Sequence, residues 1–228
     1  MELQLMGKFR WRLLLLVVAG ATPLTGCGVT KLNVKADIPP LLMTPLPFAV
    51  GVRIPKSFAE YVQKEQVRDA RWEINLGVAQ TAAIRRVAGA MFERTLKLGD
   101  QTPGEAAAIA GQGLNAILET SLDSYVYLLP SPGGAEYFSA TIGYKVDLQA
   151  LDGNLVGSWV YEGYGSAPSS GLSSTEGVEL VTGLAIRDAC ANLAVHLPEQ
   201  ELIRNLLPPA ATPAATPPAA DPQPATGT

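Results

Sequence analysis

The chain has 228 residues, 47% of them apolar and 17% charged, with a formal net charge of −4, two cysteines and one histidine. That apolar share excludes a chain disordered throughout, and two cysteines are too few for a disulfide scaffold. The excess of 21 acids over 17 bases lacks the basic footprint of nucleic-acid binding, so no nucleic-acid partner is expected.

The first segment reads as an export signal. Lys8, Arg10 and Arg12 stand against a single Glu2 and precede the apolar run 13–19, a charged region followed by a short hydrophobic one. A permanent membrane helix takes about 20 apolar residues, so this run is too short to be one. Gly20, Pro23 and Gly26 break the helical pattern, and the segment closes on Leu24-Thr25-Gly26-Cys27. These four residues resemble the lipobox of bacterial lipoproteins, Leu-x-(Gly/Ala)-Cys. The resemblance implies cleavage between Gly26 and Cys27 and a diacylglyceryl thioether on the Cys27 sulfur. Several acyl chains would then hold the mature chain in a membrane, where one chain binds only marginally. A plain secretory signal with an incidental cysteine and an uncleaved anchor are the competing readings. Gly28, rather than Asp, follows the cysteine; under the sorting rule of such lipoproteins this implies the outer membrane, facing the periplasm, over the inner membrane.

Removing 1–26 takes away three bases and one acid, which moves the formal charge from −4 to −6. If Cys27 is acylated, Cys190 has no intramolecular partner even in an oxidising compartment. Its setting, Asp188-Ala189-Cys190-Ala191-Asn192 within a helical pattern, points to a small buried hydrophobe rather than a reactive thiol.

Residues 27–47, with Pro39, Pro40, Pro45 and Pro47, read as the anchor and an extended proline-rich tether, because proline fixes φ and restricts its predecessor; Leu41, Leu42 and Met43 could pack on the domain instead. The last segment, 208–228, holds seven Pro, seven Ala and four Thr, a composition that reads as a disordered tail. Between them, 48–207 has the size of one domain.

Within that domain the apolar run 48–54 predicts a strand stopped by Pro55, and Ser57 is placed to cap a short helical turn to Tyr61. Residues 71–76 alternate polar and apolar as a half-buried strand does. From Thr81 the period becomes helical: Ile84, Val87, Ala88, Met91, Phe92 and Leu96 recur at steps of three and four, until Gly99. The Gly/Ala stretch 104–113 fits either a short helix or a packed loop. Leu118, Leu122, Val126 and Leu128 share one parity and predict a long strand up to Pro130. Phe138, Ala140, Ile142, Tyr144, Val146 and Leu148 alternate strictly with polar residues or glycine, which marks an antiparallel strand with one wet face. Asp152-Gly153 supplies a tight turn, and 155–164 returns. Ser174 or Thr175, followed by Glu176 and Glu179, starts a helix with the stripe Leu180, Leu184, Ala189, Leu193 and Leu197, and 199–206 adds a short helical segment. The fold class that follows is α+β, a mostly antiparallel sheet with two main helices packed on one face.

With that order of elements, 48–200 resembles the small periplasmic α+β envelope lipoproteins: the lipopolysaccharide-assembly lipoprotein, the curli-associated lipoproteins and the auxiliary lipoproteins of ABC-type transport systems. The resemblance rests on the strand and long helix, the stretch Tyr144-Lys145-Val146-Asp147-Leu148 to Asp152-Gly153, and the last helix around Asp188-Ala189. It implies fold and location and assigns no residue a role.

The residues propose no catalytic centre. One histidine, His196, beside Pro198 and Glu199, suits a helix-end cation partner rather than a metal ligand, and no Gly-x-Ser-x-Gly elbow accompanies it. Gly163-Tyr164-Gly165 lacks the third glycine and the Lys-Ser/Thr pair of a phosphate loop. No metal site, catalytic residue or cofactor is therefore expected. Aromatic residues cluster instead on the strands, and Tyr144, Trp159, Tyr161 and Tyr164 form a candidate binding surface, since such side chains pair apolar area with a polar handle; burial in the core or pairing across the hairpin is the competing explanation. The expected function is noncatalytic: an envelope lipoprotein, membrane-held through its lipid, that assists assembly or transport by binding an envelope protein or polysaccharide. The alternative is an anchored hydrolase of cell-wall or extracellular polymer.

Overall fold

The computed structural model describes residues 28–100, 109, 111–134 and 136–205. The predicted signal with Gly26 and Cys27, most of the Gly/Ala stretch and the tail 208–228 lie outside the described residues. In chain order the described elements are β1 (Val29–Asn33), β2 (Leu46–Arg53), α1 (Lys56–Ala59), β3 (Val62–Val67), β4 (Ala70–Asn75), α2 (Gly77–Met91), β5 (Phe92–Leu98), β6 (Ala116–Leu128), β7 (Tyr137–Gln149), β8 (Leu155–Pro168), α3 (Ser174–His196) and α4 (Glu201–Asn205).

They form a five-stranded sheet, β5-β2-β6-β7-β8, and a three-stranded one, β1-β4-β3. The class is α+β, but the expectation of a mostly antiparallel sheet is corrected: β2 runs parallel to both β5 and β6, and β1 runs parallel to β4. Antiparallel pairing is confined to β3–β4 and the β6–β7–β8 meander. The signal for this lies in β2 itself. Phe48, Ala49, Val50 and Val52 are all buried, and a strand covered on both faces has a continuous apolar run rather than alternation.

The proposed tether also differs. Residues 29–33 form β1, and Leu32, Val34 and Ile38 are core residues, so this part of 27–47 packs with the domain. Leu41 and Met43 pack on the core while Leu42 is fully exposed.

Two helix boundaries moved for identifiable reasons. Helix α2 starts at Gly77, four residues before the predicted Thr81, because the chain there passes so close to α1 that a Cβ on Gly77 would lie 2.1 Å from the Ala59 carbonyl oxygen. It ends at Met91, and Phe92 turns extended with ψ 144° and opens β5 directly. Phe92 and Leu96, four apart, fit one helical step and two strand steps alike, so the periodicity is ambiguous there. At α1 the cap position is Pro55, with no side-chain cap, rather than Ser57. Helix α3 is capped one residue before the predicted pair: Ser173 accepts from the Glu176 backbone N–H, and the Glu176 carboxylate accepts from the Ser173 backbone N–H, a reciprocal capping box. Those bonds to Ser173 hold the Glu176 carboxyl below its ordinary value.

Both long helices cover one face of the larger sheet. Ile84, Val87 and Met91 of α2 and Val181, Ile186 and Leu193 of α3 join Val50, Leu118 and Ile142 in one core. On the opposite side of β2 and β6, Ala49 and Ile117 form a smaller cluster with Ile109 and Leu114. Along α3 the buried face is made of small residues as much as leucines: Gly177, Gly183, Ala185 and Ala189 are buried, while Leu180 of the predicted stripe is 44% exposed.

Candidate binding surface

The β7–β8 register sorts the aromatic residues onto two faces. Tyr144 pairs directly with Tyr161, and Val146 with Trp159. This row faces α3: Tyr144 is fully buried, Tyr161 is 6% exposed and Trp159 is half-buried. Of the four residues proposed as a binding surface, Tyr144 and Tyr161 are therefore corrected to core residues. The period of two puts them on the same parity as Phe138 and Ile142, which the helix layer must cover. Burial pushes the Tyr161 hydroxyl up to about 12 and the Tyr144 hydroxyl well above its ordinary value. Tyr164 lies on the other parity, 54% exposed, opposite Thr141.

A bulge in β6 completes this open face. Asp123 falls between the pairs Leu122–Tyr144 and Ser124–Gly143, so the parity of the strand switches there. Leu118 and Leu122 face the core, but beyond Asp123 it is Tyr125 and Tyr127 that turn inward, while Val126 and Leu128 are 60% and 59% exposed. The single parity predicted for Leu118, Leu122, Val126 and Leu128 is thus broken after Leu122. The inward tyrosines are held in place: Tyr125 shares a 2.8 Å hydrogen bond with the Thr182 hydroxyl, and Tyr127 stacks on Trp72 at 6.3 Å with an 11° interplanar angle. Burial raises the Tyr125 hydroxyl to about 12 and moves Tyr127 in the same direction.

The open face consequently has two zones. Towards the end where β7 begins it carries Leu128, Val126, Tyr137 and Tyr164 with Thr141 and Ser166 between them. Towards the β7–β8 turn it is charged. Lys145 Nζ lies 3.0 Å from an Asp147 carboxylate oxygen, and Ser158 donates to the other at 2.5 Å. Arg53, whose side chain is 4% exposed, reaches the Gln149 side-chain oxygen at 2.8 Å and the Glu119 carboxylate at 3.5 Å. Val160 sits between the zones, 49% exposed and paired with Lys145.

Strand β8 ends the larger sheet on this side, and α3 closes part of its free edge. Asp188 accepts from the Tyr164 backbone N–H at 3.0 Å, and Asn192 donates to the Glu162 carbonyl at 2.7 Å. Helix and strand can approach this closely only because Gly163 and Gly165 lack side chains. A Cβ on Gly163 would fall 2.1 Å from Ala189 N and 2.2 Å from the Ala185 carbonyl oxygen, and one on Gly165 2.1 Å from the Val181 carbonyl oxygen. The Gly163-Tyr164-Gly165 step is thus a packing device.

Other predicted positions fall as follows. Cys190 is 1% exposed, and burial pushes its thiol up to about 12. His196 is exposed at the end of α3, with Nδ1 3.2 Å from the Glu199 carboxylate. Among the described residues no group of three or more His, Cys, Asp and Glu side chains could hold a metal, and no helix is long and apolar enough to cross a membrane. The Arg53–Glu119–Gln149 group, the Tyr125–Thr182 bond and the Asp188 and Asn192 edge contacts left no trace in the sequence pattern, since each joins residues distant along the chain.

No family model matches this chain, and no curated protein matches it. Solved structures do. A Xanthomonas campestris protein of the DUF330 family is similar with a TM-score of 0.44 and 12% identity, over 73% of this chain and 92% of that one. A Caulobacter crescentus protein described as a lipoprotein gives 0.30 and 15%, over 45% and 76%. A Helicobacter pylori protein described as a homologue of a neuraminyllactose-binding hemagglutinin gives 0.46 and 7%, over 75% and 95%.

Proposed function

We propose that the protein is a noncatalytic envelope lipoprotein, anchored through Cys27 in the outer membrane and facing the periplasm, which binds an envelope protein or polysaccharide on the open face of β6–β8. The observation that carries the binding reading is the exposed row Val126–Thr141–Tyr164, flanked by Leu128, Tyr137 and Val160, on strands whose other face is locked into the core. Apolar side chains of this size, interleaved with hydroxyls on a rigid sheet, offer contact area whose backbone is already ordered, leaving only side-chain rotamers to fix on binding. The blocked edge at Glu162 and Tyr164 favours recognition by side chains over addition of a strand there.

Two carboxylates that line one groove, Glu176 and Glu179 beside Lys35, are already engaged by the backbone N–H groups of Ser173 and Asn33, at 3.0 and 2.7 Å. Capping of α3 by Glu176 and bonding of β1 by Glu179 support structural roles over the acid/base pair a glycoside hydrolase needs.

The test is photocrosslinking in cells from the full chain, with a benzophenone amino acid at position 126 or 164 and, as control, at Arg187 on the exposed side of α3. The reading expects discrete adducts from 126 and 164 and none from 187. No adduct from either position, or the same adducts from all three, overturns it.

A further inference from the structure

The short distance between Cys27 and the first strand fixes more than attachment. Only Gly28 separates Cys27 from Val29, the first residue of β1, and two extended residues span at most about 7 Å. Strand β1 cannot swing to lengthen that reach, because Leu32 is fully buried and all five of its residues are in register with β4. We infer that the end of the domain carrying the β3–β4 turn, Arg68-Asp69, rests on the anionic headgroups of the bilayer that holds Cys27, and that the β7–β8 turn at the other end of the sheet points away from the membrane. The inference rests on the lipid-anchor reading of Cys27.

The register shows which surface this is. Val29 pairs with Arg71, three positions beyond Arg68, and neighbouring strands lie about 4.8 Å apart. A groove of about 350 Å³ lined by Arg68, Asp69, Trp72, Leu129 and Ser174 joins the turn to the end of β6 and the start of α3. At the same end Leu128 pairs with Ser139 and Tyr137 with Pro168.

The chemistry of that end suits a headgroup layer. Lys31, Lys64, Arg68 and Arg71 are exposed there, against Glu65, Asp69 and Glu136 as exposed acids, in a chain whose net charge is negative. Val29, Leu128 and Tyr137 are 49%, 59% and 46% exposed. Cations with a rim of apolar and tyrosine side chains match an anionic interface, where amphipathic rings settle at headgroup level. Arg68 also holds a left-handed backbone, φ 54°, which presents its side chain at the tip of the turn. The opposite end of the sheet is the β7–β8 turn at 150–154. It lies beyond 13 residues of β7, about 40 Å away at about 3.3 Å per residue.

The test uses the full chain, acylated and reconstituted in phosphatidylethanolamine–phosphatidylglycerol vesicles, carrying Asp69→Cys or Asn154→Cys labelled with a fluorescent dye. Cys190 is buried and does not compete for the label. Nitroxide-headgroup lipids should quench the dye at 69 at least fivefold more than the dye at 154, and Arg68→Glu with Arg71→Glu should remove most of that difference. Equal quenching at the two positions, in a chain whose intact mass includes the acyl groups, overturns the inference, and so does quenching at 69 unchanged by the two charge reversals. A chain whose mass lacks the acyl groups and which stays off the vesicles overturns the anchor reading instead.

Discussion

On the helix side of β6–β8, Phe138, Ile142, Tyr144, Val146, Leu148 and Tyr161 are buried in the core; on the other side of the same strands, Val126, Val160 and Tyr164 are about half exposed to solvent. Hydrophobicity does not distinguish these sets, since both contain valine and tyrosine. Parity does, together with two devices that set it: the bulge at Asp123, which exchanges the faces of β6, and the glycines of β8, which admit α3 on one side only. A tyrosine on these strands is thus a core residue or a contact residue according to its position relative to them.

The comparison breaks most sharply at the glycines. Gly163→Val puts a branched side chain into the backbone of α3, and an overpacked site with no flexible neighbour to yield loses about 3 kcal/mol or more; chemical denaturation should show that loss or outright failure to fold. Next, Tyr144→Ala should cost about 3–5 kcal/mol as a large buried ring is removed. Tyr144→Phe should stay within about 1 kcal/mol of the parent or exceed it, because the Tyr144 hydroxyl is buried without a hydrogen-bond partner among the described residues. A Tyr144→Phe loss as large as that of the alanine variant would show that the hydroxyl has a partner.

Titration should separate the faces a third way. Cys190, Tyr125 and Tyr161 ionise near 9 to 10 when unfolded but are raised to about 12 in the fold. Groups raised in this way stay neutral in both states below about pH 9. Above that the unfolded state alone releases protons, so the stability they contribute declines as the pH climbs towards 12. Urea midpoints measured from pH 8 to pH 11 should fall, and Tyr161→Phe should flatten the decline. The smallest effect is expected on the open face: Tyr164→Ala should change stability by no more than about 0.5 kcal/mol while abolishing the crosslinks formed from position 126.

Sequence pattern made the β7–β8 hairpin legible, although β8 runs to Pro168, four residues past the predicted 155–164, because one buried and one wet face impose strict alternation and Asp152-Gly153 suits the positive φ of 88° that Gly153 adopts. The three-stranded sheet was not legible. Strand β3, Val62-Gln63-Lys64-Glu65-Gln66-Val67, is an edge with no fully buried residue, and β1 contributes one buried residue, Leu32, beside prolines that suggest a spacer. Parallel pairing of β2 was available in its unbroken apolar run, whereas β5 was hidden by a periodicity shared with the preceding helix. For the binding surface, composition pointed to the correct strands but not the correct side: Tyr164 alone of the four aromatics lies well exposed, and Val126 and Val160 join it only once register and bulge are known. A bulge is a local extra residue, and Leu122-Asp123-Ser124 contains nothing that a period-two count detects.

The polar clasp of Asp188 and Asn192 on β8 has a kinetic side. A hairpin of neighbouring strands forms within microseconds, and β7–β8 formed alone would show a bare edge open to pairing with another chain. Its cover, α3, follows in the sequence after only the short loop 169–173, so the segment that blocks the edge emerges immediately behind the strand it protects. Lengthening that loop would leave the folded structure in place and prolong the interval in which two unfinished chains can join edge to edge, and the yield of soluble protein at high concentration would record the difference.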